Sequence, residues 1–160
     1  MIKVKNTFVR LIFLLLAFII SANFVKAQYH QGMVVCGYPD AAHVGLDILK
    51  KGGNAIDAAV AVQFALEVTL PEAGNIGGGG FMVYRSGKGE INTLDFREKA
   101  PAMASQNMYL DSAGNVIPDM SLLTHQATGV PGSVDGMVQA HDKYGRLAWQ
   151  QLVQPAIDLA

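Results

Sequence analysis

The sequence predicts an α+β fold, with helices and strands mixed in one compact unit, on three observations. Apolar residues recur at helical spacing in AAHVGLDILKK and AIDAAVAVQFALEV. Two strand-like runs, FMVYR and INTLDFRE, are joined by SGKGE, whose glycines favour a tight turn and hence a β-hairpin. No internal repeat and no low-complexity linker divides the chain.

The first 27 residues stand apart from that fold. MIKVKNTFVR carries only basic charges, LIFLLLAFII is apolar, and SANFVKAQ is a polar exit with small residues, the layout of a secretory signal peptide. The apolar run is shorter than the ~20 residues of a membrane-spanning helix. Val25-Lys26-Ala27 fits a cleavage site, so residues 1–27 are expected to leave and the mature chain to start at Gln28, with no stable membrane span. Its removal takes away Lys3, Lys5, Arg10 and Lys26 and no acid, which leaves 8 basic residues against 13 acidic and a net charge of −5. That balance gives no electrostatic footprint for nucleic acid or an anionic membrane. Small molecules or proteins are the expected partners.

GMVVCGY (32–38) reads as a short strand, apolar on both faces and hence buried, with Cys36 as an inert thiol. One cysteine forms no intrachain disulfide. Pro39 and Asp40 break the strand, and Asp40 is placed to cap a helix over AAHVGLDILKK, with Ala41, Val44 and Ile48 on one face. Lys50 and Lys51 suit the negative end of its dipole, and Gly52-Gly53 supplies a left-handed exit. Asn54 caps the second helix, with Asp57 in its first turn. That helix is Ala-rich and apolar almost all round, so it is expected to be buried, and Thr69-Leu70-Pro71 ends it.

PEAGNIGGGGFMVYR follows. Its four glycines invite comparison with a phosphate loop, but phosphate loops run strand, glycine turn, helix, whereas the order here is helix, glycines, strand, and no Gly-Lys-Ser/Thr follows. Two readings survive: the glycines let the strand pass tightly beneath a helix, or they form a smooth wall against a substrate or another backbone. In LDFRE, alternation sends Leu94, Phe96 and Glu98 to one face and Asp95 and Arg97 to the other. Arg97 suits bidentate grip of a carboxylate, or a structural pair with a nearby acid.

The stretch from Lys99 to Ser121 reads as irregular, with a turn at Ser112-Ala113-Gly114-Asn115. A third helix follows over SVDGMVQAHDKYG, which Ser133 is placed to cap and Gly145 to end. LAWQQLVQPAIDLA is a last helical stretch, interrupted at Pro155. The pattern is still helical at Ala160, so the sequence is expected to be the N-terminal piece of a longer one. No metal-ligand spacing links His30, His43, His125 and His141, and no cofactor motif is present. GSVDG is not a nucleophile elbow, since its Ser follows the first Gly directly. No catalytic residue is assigned within the chain.

QGMVV, GLDILKKGGNAIDAAVAVQFALEVTLPEAGNIGGGGFMVY, LDFREKAP and TGVPGSVDGM, in this order and close spacing, resemble the large-subunit N-terminus of γ-glutamyltranspeptidases, over about Gln31 to Ala160. The resemblance implies an N-terminal-nucleophile hydrolase fold, a four-layer αββα sandwich of which 28–160 is the N-terminal portion. It implies a secreted or periplasmic precursor that cuts itself before a Thr. The new N-terminal Thr attacks the γ-glutamyl amide of glutathione or a related compound, and the acyl group passes to water or an amino acid, with no cofactor. It implies that Arg97 holds the substrate α-carboxylate. The nucleophile belongs to the small subunit, the partner after self-cleavage, so residues 28–160 alone are expected to be inactive. Thr69, Thr93, Thr124 and Thr128 are not substitutes for it. A glutaryl or cephalosporin acylase of the same family, and a non-catalytic carboxylate-binding module, are the alternatives. A Thr at a processing site beyond Ala160 discriminates enzyme from module.

Overall fold

Helix α1 (Pro39–Lys50) opens the fold in the computed structural model, which describes residues 32–160. It begins one residue before the expected cap. Pro39 is its first residue, where a missing N–H costs nothing, and Asp40 lies in the first turn without capping by its side chain. Ala41, Gly45 and Ile48 form its buried stripe. A Cβ on Gly45 would come within 2.6 Å of Val62, so this glycine lets α1 cross close over the next helix. Gly52, with φ +93°, makes the left-handed exit that an L side chain resists.

Helix α2 (Ala55–Thr69) is the central element, with α1, α4 (Ser133–Tyr144) and α5 (Trp149–Leu159) packed around it. Asn54 caps it as expected: its Oδ1 accepts from Ile56 N at 2.9 Å and Asp57 N at 3.0 Å. The Asp57 carboxylate returns the bond to Asn54 N at 2.8 Å, closing a capping box. The near-uniform apolarity of α2 is explained by its surroundings, since Ile56, Ala58, Val60, Ala61, Val62 and Ala65 are all buried. Strands β1 (Phe81–Arg85) and β2 (Ile91–Asp95) pair antiparallel with Phe81 opposite Asp95 and Arg85 opposite Ile91. The hairpin turns through Gly89, at φ +90°. Its inner face, Met82, Tyr84 and Leu94, lies on the core, and Tyr84 stacks 4.7 Å from Tyr144 of α4. Its outer face, Phe81, Val83 and Ile91, is 65–77% exposed.

Several further expectations are corrected. Residues 32–38 form no strand: a strand needs a neighbour, and the sheet of the described residues has two strands, neither of them here. Val34 and Cys36 pack beside Ala41, Val62 and Ala65, while Val35 is 80% exposed, so one face is covered and not both. Cys36 is half-buried, its thiol donating to Tyr38 O at 3.2 Å. Ser133 does not cap α4; the capping position is Gly132, and Ser133 is the first helical residue. Pro155 does not interrupt α5, which runs unbroken from Trp149 to Leu159. A proline removes one N–H from a helix, and here the flanking turns and the buried Leu152 and Ala156 hold the helix together across the gap. The irregular stretch runs into a short helix α3 (Met120–Leu123), and a 3₁₀ turn (His125–Ala127) follows. The expected turn is present, braced by Asp111, whose Oδ1 accepts from Ala113 N and Asn115 N. Residues 1–27, with their expected export signal, lie outside the described residues. Among the described residues no helix is long and apolar enough to cross a membrane.

Candidate functional site

Beyond Asp95 the β2 chain leaves the hairpin and runs past the glycine loop, carrying Phe96, Arg97 and Glu98. The first pairing after the hairpin is mutual: Phe96 N donates to Gly80 O at 3.0 Å and Gly80 N to Phe96 O at 3.4 Å. Three residues on, Lys99 N donates to Val130 O at 3.1 Å and Val130 N to Lys99 O at 2.8 Å. Arg97 lies between these two pinned points, and its own N–H donates to the Asp95 carboxylate at 3.0 Å. Its backbone is therefore fixed on both sides and from below.

Its side chain is not. The Arg97 side chain is 70% exposed, and among the described residues its ion pair is with Glu98, with Nε to Oε2 at 3.8 Å. That separation is too long for the paired, parallel hydrogen bonds of an arginine–carboxylate fork. Of the two readings of Arg97, the structural pair is weak here, since the guanidinium is mostly exposed and Glu98 engages it only at a distance.

The glycines differ from one another. None of Gly77 to Gly80 has a positive φ, so no unusual backbone requires a glycine in this run. A Cβ on Gly79 would lie 2.7 Å from Glu98 N and Phe96 O, and one on Gly80 would lie 3.0 Å from the Phe96 ring. Cβ atoms on Gly77 and Gly78 would meet nothing nearer than 3.2 and 3.6 Å. Close packing is thus the role of Gly79 and Gly80. The Gly78 carbonyl accepts from both Gly132 N at 2.9 Å and Ser133 N at 3.1 Å, which ties the loop to the start of α4. Those N–H groups are the ones a helix N-terminus offers an anion, so they are already engaged. This tie also explains why Ser133 caps nothing: it is buried, and its hydroxyl reaches towards Asn75 O at 3.5 Å.

Behind Phe96 lies an apolar cavity of about 140 Å³, lined by Ile56, Val60, Gln63, Met82 and Met137. No charged group lines it and Arg97 is not part of it. Further along the same side of α2, Glu67 Oε1 is buried without a hydrogen-bond partner among the described residues, and burial pushes its carboxyl up to about 7. Sequence reasoning missed this residue, since nothing in ALEVTLPE shows that one carboxyl oxygen is covered.

No nucleophile is assembled among the described residues. The Thr69 and Thr124 hydroxyls donate to Ala65 O and Met120 O within their own helical turns. Among the described residues no group of three His, Cys, Asp or Glu side chains converges to hold a metal ion.

A family model described as Gamma-glutamyltranspeptidase matches residues 41–160. The chain is 57% identical over 130 residues to a glutathione hydrolase proenzyme of Pseudomonas sp. (strain A14), covering 81% of this chain and 23% of that protein. It is 55% identical over 137 residues to the glutathione hydrolase proenzyme of Escherichia coli (strain K12), covering 86% and 24%. The crystal structure of Helicobacter pylori gamma-glutamyltranspeptidase matches with a TM-score of 0.80 at 50% identity, over 84% of this chain and 39% of that one. The chain spans about a quarter of the length of the curated relatives it matches.

Proposed function

This chain belongs to the gamma-glutamyltranspeptidase family, and on that premise we propose that it is the N-terminal segment of an exported γ-glutamyltransferase/glutathione hydrolase precursor. Its part in the chemistry is to bind the donor. Arg97 takes the α-carboxylate of the γ-glutamyl group in a charge-assisted fork, which orients the scissile amide. The nucleophile is an N-terminal Thr that self-cleavage creates in the small subunit, outside these 160 residues. Its hydroxyl adds to the γ-carbonyl with its own α-amine as base. The amine of the leaving peptide departs with a proton, and the ester formed on Thr passes its acyl group to water or an amino acid. Residues 1–27 direct the precursor to the periplasm or the exterior.

The observation that carries this reading is the contrast at Arg97, a backbone pinned at Phe96 and Lys99 beneath a guanidinium that no carboxylate engages closely. The names of the relatives, glutathione hydrolase proenzymes, supply the substrate. Arg97→Ala in the complete precursor tests it. KM for a γ-glutamyl anilide is expected to rise about 10- to 100-fold, the loss of roughly 1.5–3 kcal/mol of charge-assisted hydrogen bonding, with self-cleavage intact. An unchanged KM, or failure to self-cleave, returns Arg97 to a structural role. Faster turnover of a glutaryl amide than of glutathione by the complete precursor would replace the donor class with that of an acylase.

A further inference from the structure

We infer that Phe96 is a positioning residue for the substrate-binding arginine: held between glycines of two separate segments, it sets where the Arg97 backbone lies and so how far the guanidinium reaches. The inference rests on the reading of Arg97 as the carboxylate clamp.

The grip comes from both sides of residue 96. From the glycine loop, the Gly79 Cα faces the Phe96 carbonyl and the Arg97–Glu98 peptide, where a Cβ would stand 2.7 Å from Phe96 O and 2.9 Å from Arg97 C. From the start of α4, a Cβ on Gly132 would overlap the same Phe96 carbonyl oxygen and lie 3.2 Å from Arg97 O. The ring is held in the same way. A Cβ on Gly136, one turn further along α4, would overlap Phe96 Cγ, and one on Gly80 would stand 3.0 Å from Cε2. Four glycines therefore surround one phenylalanine, and the Gly78 carbonyl, bonded to Gly132 N and Ser133 N, locks the two glycine segments to each other. The peptide joining Phe96 to Arg97 cannot slide without meeting backbone on either side. Close packing of this kind transmits a displacement and does not absorb it. The ring also faces the 140 Å³ cavity, so a smaller apolar side chain at 96 loosens the grip without forcing an overlap.

The test is a double-mutant cycle in the complete, self-cleaved enzyme with a γ-glutamyl anilide as the probe. Phe96→Leu loosens the grip and Gly79→Ala displaces the peptide; each is expected to raise KM about tenfold with kcat within about twofold, the scale of a sub-ångström misplacement of a binding group. On an Arg97→Ala background the same substitutions should change KM by less than about twofold, because there is no guanidinium left to position. Equal KM effects with and without Arg97, or a fall in kcat at constant KM, would overturn the inference. Should Gly79→Ala not accumulate, Phe96→Leu decides alone. If Arg97→Ala itself leaves KM unchanged, the carboxylate-clamp reading fails and the positioning role falls with it, an outcome distinct from a normal Arg97 effect that Phe96→Leu does not share.

Discussion

Asp57 and Arg97 are both charged, and the protein treats them in opposite ways. Asp57 is fully buried and its carboxylate is saturated: it accepts from Asn54 N at 2.8 Å, Arg146 N at 3.0 Å and Leu147 N at 3.4 Å. Those donors come from the start of α2 and from the turn between α4 and α5, so one carboxylate joins three helices. Asn54 adds a second tie, its Nδ2 donating to Tyr144 O at 2.6 Å. Arg97 has its backbone equally well secured and its charge left open. A charge whose partners are all internal serves the fold, and a charge held on a fixed backbone with only a distant acid beside it is what the proposed carboxylate clamp requires. The helical end is fixed by added hydrogen bonds, and the hairpin end by side chains left out.

The strongest way to break that contrast is Asp57→Ala. It leaves the part-buried N–H groups of Arg146 and Leu147 without their acceptor and removes half of a capping box, a loss of about 2–4 kcal/mol. The complete precursor is expected to show a lower melting temperature and a reduced soluble, self-cleaved fraction, whereas Arg97→Ala, whose cost falls on KM, should melt like the parent. Equal melting of all three proteins would show that the two charges are not sorted in this way. Gly52→Ala sharpens the distinction between glycines. No atom lies within 4 Å of a Cβ there, so the cost is that of φ +93° alone, about 1–2 kcal/mol in thermal or denaturant unfolding, with KM unchanged. Gly79 is the reverse case, with ordinary backbone and no room.

The smallest effect is expected at Glu67, which stands between the two extremes, partly buried and unpartnered. Its carboxyl is raised from 4.5 to about 7 by burial, so the fold favours the protonated form. The folded state then binds more protons than the unfolded one, and stability falls as pH rises from about 4.5 to 7. Glu67→Gln should match the parent near pH 4 and melt higher at pH 8. A constant difference across that range would show that the carboxyl is not the cause.

What could be read from the sequence divides by distance along the chain. The Asn54 cap, the Gly52 exit, the hairpin and the turn at Ser112–Asn115 rest on contacts within a few residues, and all were legible. The second half of Asp57's role was not, because Arg146 and Leu147 lie 89 and 90 residues away. Ser133 was misread for a similar reason: it has the residue type of a cap, but the carbonyl that takes its N–H belongs to Gly78. The strand expected at 32–38 failed because apolar pattern does not supply a neighbour. At the site, Arg97 was singled out only by the resemblance that LDFRE carries, and its clamp role stays a proposal; the hold on Phe96 was not legible, because glycines 79, 80, 132 and 136 converge on one ring and one peptide only in the fold.

Trp149 is the only tryptophan of the 160 residues. It stands at the start of α5, edge-on to Phe64 of α2 at 5.6 Å and to His141 of α4 at 5.3 Å. Within this segment the intrinsic emission is therefore a gauge of one end only. It will follow loss of the three-helix junction around Asp57 and stay silent when a ligand meets Arg97, so a fluorophore attached to the hairpin would be needed to watch the other end with light.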